Sequence, residues 1–355
     1  MRRRQVIVIV VAVVFAVGVW AYFSRLSVPR GTMRRFEVHG SAEFYSLLLD
    51  NSPANCSTGQ PYKMDMPASD HNVLVDIHNF KFQMNPPPCQ GQPVLFALVH
   101  SAPNNTEKRL QIRKTWGSIL QGSLLFVLGE VDSPLLQVLL ESENDRYHDL
   151  LQGSFKDTYR NMTYKHIMAL KWVLYYCPGV RYVLKADDDT FVNTPVLMRA
   201  LAQGRPRCGM KKLILCRVWR GVKVERKRNK WTVTQKEFHD NVYPDYCSGT
   251  AILYSQDVVY ALYRKAQVTP YFWVDDVHVT GTLVKNLNVT HQPALPVTLG
   301  ITFMPNNTIM CNHRKVRNMP DTPPWVQSFL FSRHNMTASD MESLWRYVNK
   351  CTVLH

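Results

Sequence analysis

Arg181-Tyr-Val-Leu-Lys-Ala-Asp-Asp-Asp-Thr-Phe-Val-Asn193 is the stretch on which the reading of this chain turns. Tyr182, Val183 and Leu184 read as a short buried strand, bounded upstream by Pro178-Gly179. Three carboxylates, Asp187, Asp188 and Asp189, stand where that strand should end, and Phe191 and Val192 resume the apolar pattern. In open α/β sheets, ligands gather at the carboxyl ends of strands. Mg²⁺ or Mn²⁺ beside a diphosphate takes one or two carboxylates from the protein, so an acidic turn in this position suits a metal and a nucleotide. An acidic surface turn or a helix N-cap is the plainer reading of three aspartates. A buried strand running directly into them favours the site.

Working outward, Val94–His100 reads as another buried strand and Glu107–Gly117 as a helix carrying Arg109 and Arg113 four apart on one face. Two arginines over a strand end suit a phosphate, and a solvated basic face has the same spacing. Leu124–Leu128 is a second strand, Leu135 to about Arg146 an amphipathic helix, and Thr163 to about Pro178 a further helix leading into the aspartates. Alternating strands and helices predict an α/β domain whose mainly parallel sheet is flanked by helices. The chain has no Gly-x-Gly-x-x-Gly and no P-loop, which argues against dinucleotide and simple ATPase chemistry.

Residues 205–230 are dense in Arg and Lys and carry much of the formal charge of +15. They read either as a solvated loop or as a surface attracting an acidic acceptor or anionic surroundings. Beyond them, Ser248-Gly249 permits close backbone approach to a ligand, and Ile252–Tyr254 is strand-like. A helix follows from about Gln256 to Lys265. Phe272-Trp-Val-Asp-Asp-Val-His-Val279 then sets Asp275 and Asp276 among apolar and aromatic residues. Strand-like alternation would put the two on opposite faces, and a helix N-cap is the competing reading. A carboxylate against apolar surface holds its proton more tightly and makes a better general base.

The N-terminus sets the compartment. Arg2–Arg4 precede an uncharged run, Val6–Phe23; about 18 helical residues span roughly 27 Å, close to a thin endomembrane core. The expected organisation is a cytosolic tail (1–5), a transmembrane signal-anchor (6–23), a lumenal stem (24–90) and a catalytic domain (91–355). A cleaved signal peptide ending near Val19 and Ala21 is the alternative; the length of the run and the flanking Arg25 and Arg30 favour the anchor. All eight cysteines lie beyond the run without a Cys-x-x-Cys pair, which points to disulfides rather than zinc. Their connectivity is not deducible from spacing, Cys311 with Cys351 being one choice. Asn55, Asn104, Asn161, Asn288, Asn306 and Asn335 each begin an Asn-x-Ser/Thr sequon. In that compartment nucleic acid is not an expected partner.

Arg113-Lys-Thr-Trp-Gly, Asp157-Thr-Tyr-Arg-Asn-Met-Thr, Lys185-Ala-Asp-Asp-Asp-Thr-Phe-Val-Asn, Tyr243-Pro-Asp-Tyr-Cys-Ser-Gly-Thr and Asp275-Asp-Val together resemble, in order, the signatures of the animal β1,3-glycosyltransferase family. That family comprises the β1,3-galactosyl- and β1,3-N-acetylglucosaminyltransferases. The resemblance implies a single-pass type II Golgi membrane protein with a lumenal GT-A type nucleotide-sugar-binding fold. It also implies Mn²⁺, a UDP-sugar donor and a glycan acceptor on glycoprotein or glycolipid, and it admits homo- or hetero-oligomers with other glycosyltransferases. Asp187 and Asp189 would hold the metal, with His334 before a terminal helix completing the set and His313 as the fallback. Asp276 would be the catalytic base. Donor contacts are expected from Arg109, Arg113, Trp116, Lys165, Lys185, Asp187 and Asp188. The donor-sugar and acceptor pocket is expected from Trp231, Tyr246, Ser248, Gly249 and Asp275. Galactose is the favoured sugar, with N-acetylglucosamine the alternative. A non-catalytic lectin-like or complex-forming lumenal partner is the rival of a different class. Two departures stand near the site: His278 where relatives carry an aromatic residue, with Thr280 interposed before Gly281, and Ala251-Ile252 where they often carry Gly and an aromatic residue.

Overall fold

The computed structural model describes residues 32–40, 70–203, 210–303, 309–310 and 329–351. The tail, the apolar run 6–23, residues 41–69 of the stem, Asn55, Asn306, Cys56, Cys208, Cys311 and His313 lie outside them, as does the side chain of Cys351. Among the described residues no helix is long and apolar enough to cross a membrane. The chain divides into two units, the smaller comprising Met1–Phe36 and Leu299–Lys315. Its described part includes an antiparallel pairing of Thr302 and Phe303 with Met310 and Ile309. The larger unit, Glu37–Thr298 with Val316–His355, carries the eight-stranded sheet and its helices.

The central strands of an eight-stranded sheet are the continuous apolar runs of the sequence, whereas the edge strand Thr290–Pro293 is polar. We number the strands β1 (Thr32–Gly40), β2 (Phe82–Met84), β3 (Leu95–His100), β4 (Leu124–Glu130), β5 (Leu150–Lys156), β6 (Tyr182–Asp187), β7 (Leu213–Trp219), β8 (Tyr246–Ser255) and β9 (Thr290–Pro293). In the large sheet they lie in the order β2-β5-β4-β3-β6-β8-β7-β9. The central run β5-β4-β3-β6 is parallel, whereas β2 joins its edge antiparallel and β8 runs antiparallel to both β6 and β7. The sheet is therefore mixed rather than mainly parallel. The antiparallel half arises because β7 and β8 are joined through a long loop instead of a crossover helix. β7 itself lies inside the basic stretch 205–230, so that stretch is not one loop: Leu213–Cys216 are buried sheet residues.

Helices α1 (Thr106–Lys114), α2 (Pro134–Tyr147), α3 (Met162–Tyr176), α4 (Thr194–Gln203), α5 (Gln256–Ala266) and α6 (Ala338–Cys351) complete the unit. α2 starts where Ser133 accepts the Leu136 amide and Pro134 pre-sets the first turn; it stops at His148 in the left-handed region. α3 is buried almost all round from Thr163 to Leu174, as a helix wedged between layers must be. Its Ile167, Trp172 and Val173 pack on Phe96, Leu98 and Val127 of the sheet and on Val259 and Leu262 of α5. α6, with Met341 and Leu344 inward, packs on α1.

The stretch 70–90, expected as the end of a stem, belongs to this body. Leu74 and Phe80 are buried in the main core, β2 extends the sheet along β5, and Cys89 is disulfide-bonded to Cys177 at the end of α3. The Lys171 ammonium donates to the carbonyls of Asp70 and Val73, while the Tyr175 and Tyr263 hydroxyls donate to the Asp70 carboxylate. These residues are polar and irregular in sequence because their partners lie 98 to 105 residues away on α3 and 193 residues away on α5.

A fragment beginning at residue 91 loses Leu74, Phe80 and Met84, each worth about 1.5–3 kcal/mol when buried, and the Cys89–Cys177 link. Its thermal midpoint should fall by more than about 10 °C relative to a fragment beginning before Asp70. Calorimetry of the two decides it, and equal midpoints would show that 70–90 is dispensable to the body.

Candidate active site

β6 delivers the three aspartates, and the turn separates their tasks. Asp187 is the last residue of the strand, opposite His100 of β3. One of its oxygens accepts from Lys185 Nζ at 2.7 Å; the other faces His334 Nδ1 at 3.6 Å. Asp188 points the other way and is buried: Ser101 Oγ (2.9 Å), Asn105 Nδ2 (2.8 Å) and Lys108 Nζ (3.1 Å) all donate to it. It fastens the turn to the end of β3 and the start of α1. Asp189 faces outward with Asp187, its Oδ1 3.9 Å from His334 Nδ1.

His334 reaches this point because a distant segment is clamped to the residues just after the aspartates. The Asn193 amide donates to Leu330 O and its side chain to Phe329 O; the Ser332 amide donates to Phe191 O and the Ser332 hydroxyl accepts from the Phe191 amide. The Met336 amide donates to Asp189 O at 3.0 Å. Asn335 adopts φ 60°, a left-handed conformation that asparagine tolerates, and so turns the chain between His334 and that bond. One ligand atom each from Asp187, Asp189 and His334 fall within 4.8 Å of one another. Two carboxylates and an imidazole on one exposed edge fit a divalent cation that keeps open positions for a diphosphate.

The second carboxylate pair opens a short helical turn, Asp275–Val277, continued by His278–Thr282, rather than a strand. Alternation therefore does not apply, and both carboxylates belong to one pocket. Asp276 Oδ2 accepts the Gly249 amide at 2.9 Å. A Cβ at position 249 would lie 2.2 Å from Asp276 Oδ1, so the glycine is what leaves room for the carboxylate. Asp275 faces His166 Nδ1 at 3.4 Å, and the other ring nitrogen of His166 meets the Tyr254 hydroxyl at 3.3 Å.

Burial, reinforced by Asp275 and Asp187 and only partly offset by Lys185, pushes the Asp276 carboxyl well above its ordinary range. Burial would raise Asp275 too, but His166 and Lys185 outweigh it and hold that carboxyl low. Two adjacent carboxylates thus have opposite proton affinities, the arrangement that separates a base from a fixed charge.

The structure does not bring all of the expected donor contacts into this pocket. Arg109 is fully buried, and its guanidinium is committed to Glu143, Ser101, Thr106 and the carbonyls of Ala102 and Pro103. Arg113 is paired with Glu143 and Asp149 and stacks on Tyr147. Together these pairings lock α1 to α2. Trp116 is fully buried as well. Lys165 donates to Asp157 and to Ser101 O, bracing the ends of β3 and β5 from within. Lys185 lies beneath the site, bonded to Asp187 and Gly249 O. Ser248 is buried, and Tyr246 sits by Asp276; burial and that charge push its phenol up to about 12.

Trp231 is half-exposed and lies near the Tyr159 hydroxyl. Tyr159, which sequence reading did not single out, feels the charges of Asp275, Asp276 and Asp187 and has a ring 6.0 Å from that of Trp273. Its signal was the Asp157-Thr-Tyr motif itself. His166 and Tyr254 were also missed, hidden in apolar runs. The departures from the family pattern are internal: His278 is buried, with burial lowering its pKa to about 4, so it fills an aromatic position as a neutral ring. Thr280 accepts the Cys247 amide, and Ala251 and Ile252 pair with Ala186 and Lys185 in the sheet.

Of the sequons, Asn104, Asn288 and Asn335 are exposed. Asn161 instead donates its side-chain nitrogen to Lys156 O, and Thr163 donates to Phe272 O. A glycan on Asn161 would break the first of these bonds.

The Galactosyltransferase family pattern matches residues 107–294, more than half of the chain and the whole span from α1 to β9. The chain belongs to this family, among the β1,3-glycosyltransferases, and is a transferase of that class. It is 31% identical over 224 residues to beta-1,3-galactosyltransferase 1 of Mus musculus, covering 61% of this chain and 68% of that protein. It is 34% identical over 207 residues to beta-1,3-galactosyltransferase 5 of the same species, covering 55% and 65%. With beta-1,3-galactosyltransferase 2 of Homo sapiens the identity is 29% over 286 residues, covering 77% and 63%.

Two substitutions test the two halves of the site separately. Gly249→Ala should displace Asp276 and lower glycosyl transfer at least about a hundredfold while Mn²⁺ binding, followed by calorimetry, is unchanged. His334→Ala should weaken Mn²⁺ about tenfold or more. An unchanged Mn²⁺ affinity there would remove His334 from the ligand set.

Proposed function

We propose that this chain is an inverting, metal-dependent transferase that moves galactose from UDP-galactose to the 3-hydroxyl of an acceptor sugar on a glycoprotein or glycolipid, through a GT-A type fold. The observation that supports it most is the pairing, in one pocket, of a high-proton-affinity Asp276 with the Asp187/Asp189/His334 set. Asp276, held on the Gly249 amide, takes the proton of the acceptor hydroxyl as that oxygen bonds to C1 of the α-linked sugar. The bond from C1 to the diphosphate breaks on the opposite face, so the product is β-linked. Mn²⁺ held by Asp187, Asp189 and His334 would neutralise the departing UDP. Lys185 keeps Asp187 in place from below, and Asp275, fixed by His166, keeps the proton affinity of Asp276 high. Galactose is favoured over N-acetylglucosamine because the relatives above are galactosyltransferases by name.

A lumenal, type II Golgi disposition belongs to the same proposal. It is supported by the apolar run Val6–Phe23 and by the disulfides Cys89–Cys177 and Cys216–Cys247, which form in oxidising compartments.

UDP release by the full-length chain in detergent tests this reading, with UDP-galactose and UDP-N-acetylglucosamine in parallel, Mn²⁺ or EDTA, and a panel of β-linked acceptors. Turnover with UDP-galactose that requires Mn²⁺ and falls about 10²–10⁴-fold in Asp276→Asn is expected. Turnover only with UDP-N-acetylglucosamine would reassign the sugar, and UDP binding without turnover on any acceptor would leave a non-catalytic partner. The acid limb of the rate profile should lie above the ordinary carboxylate range, because Asp276 acts only when ionised. Asp275→Asn removes a charge that raises it, so the limb should move to lower pH; a limb that stays put would separate Asp276 from the rate.

A further inference from the structure

The basic chain between β7 and β8 is not a free loop. Val224, Val233 and Tyr243 form a small core with Phe272, Trp273 and Val277, the residues that flank Asp275 and Asp276. Arg226 ties the loop together from inside, donating to the carbonyls of Val233, Phe238 and Asp240. Glu237 fastens it outward, to Arg160 and to the Trp273 indole. Its core reaches Tyr159 through Trp273, whose ring lies 6.0 Å from that of Tyr159.

On that braced frame Lys227, Arg228 and Lys230 are exposed, and none of them ion-pairs with a carboxylate among the described residues. Three of the four acidic side chains on the same loop are otherwise engaged, and Asp240 is exposed. Glu237 is on Arg160, Asp245 faces Arg220 at 3.3 Å, and Glu225 accepts the Lys227 backbone amide. Lys230 lies over the Trp231 ring at 4.3 Å, which leaves a cation beside an exposed indole. Like charges held together on an ordered loop, without counter-charges, repel one another and are stabilised by an anion. The loop shares its core with the segment carrying Asp276, the acceptor side of the reaction, whereas the donor's diphosphate belongs with Asp187, Asp189 and His334.

We infer that Lys227, Arg228 and Lys230, with Trp231, form a subsite for an acidic group (uronate or sulfate) on the acceptor glycan. The indole offers an apolar face to a sugar ring, and the cations select the charge it carries. The inference rests on the transferase reading for its placement on the acceptor, but the subsite is a binding surface that can be measured without turnover.

The test uses the full-length chain in detergent, in an Asp276→Asn background so that no transfer occurs. Two β-galactoside trisaccharides, identical except for a uronate or sulfate next to the terminal galactose, are titrated by calorimetry with UDP and Mn²⁺ present. The acidic one should bind about tenfold more tightly, as three partly exposed charge contacts allow. That preference should vanish in Lys227→Ala/Arg228→Ala/Lys230→Ala and shrink as salt rises from about 50 to 300 mM. Lys227→Ala/Arg228→Ala, which keeps the Lys230–Trp231 contact, should lose most of it. Equal binding of both glycans, or a preference that survives the triple substitution, overturns the inference. So does a triple variant that loses binding to phosphatidylserine vesicles while binding both glycans unchanged. If no acceptor turns over in the unsubstituted chain yet the preference is present and loop-dependent, the transferase reading fails and the anionic-glycan subsite stands.

Discussion

A single buried ammonium holds the two halves of this site together. Lys185 points along β6 beneath the pocket and bonds to Asp187 on one side and to the carbonyl of Gly249 on the other. Burial alone would take its proton away, but Asp187, Asp275 and Asp276 outweigh that and keep it firmly charged. A buried charge is tolerable only when paired and hydrogen-bonded, and here the pairing is what lets three carboxylates share one cavity. Gly249 repeats the logic in the backbone: its carbonyl faces the lysine and its amide faces Asp276. The residues proposed to hold the metal and the residue proposed to take the proton are thus linked through one side chain and one glycine residue.

Around that link the support is layered. Asp188, the aspartate that does not face outward, fixes the turn to Ser101 and Asn105 at the end of the neighbouring strand. Arg109 and Arg113 sit one layer further in, joining α1 to α2 through Glu143. Their charge is spent on Glu143 and Asp149, which helps to fix the helix that carries Lys108 and follows Asn105. The Cys216–Cys247 disulfide ties β7 to β8 immediately before Ser248 and Gly249. Function at the surface and ion pairing beneath it are two parts of one construction.

The central strand and its aspartates were readable from sequence because a continuous apolar run ending in acid has few other meanings. Local pattern was also enough for α2, α3 and α5. What pattern could not show was anything settled by a partner far away in the chain. Arg109 and Arg113 share a helix face, as their spacing demands, yet Glu143 and Asp149 turn that face inward. β7 was concealed by the charges around it, and β2 by proline and polar residues whose pairing lies on β5. Asp275 and Asp276 look like alternating strand residues until Gly249 and His166 give each its own partner. His334 was placed in the set by resemblance alone; the hydrogen bonds to Phe191 and Asn193 that bring it beside the aspartates lie in no local window.

The clamp that places His334 also sets an order in time. The aspartates leave the ribosome in the middle of synthesis, when β3, β4 and β6 are already available to pair. The segment that must bridge to Phe191 and Asn193 lies close to the end of the 355-residue chain, and α6 follows it. N-terminal parts fold first during synthesis, so a nascent chain can build most of its sheet while the third ligand is still unmade. A chain ended prematurely before Phe329 would retain the aspartates but have no means of completing their histidine partner. His334 is thus made 145 residues after Asp189, and the two aspartates can be in place before it is available to join them.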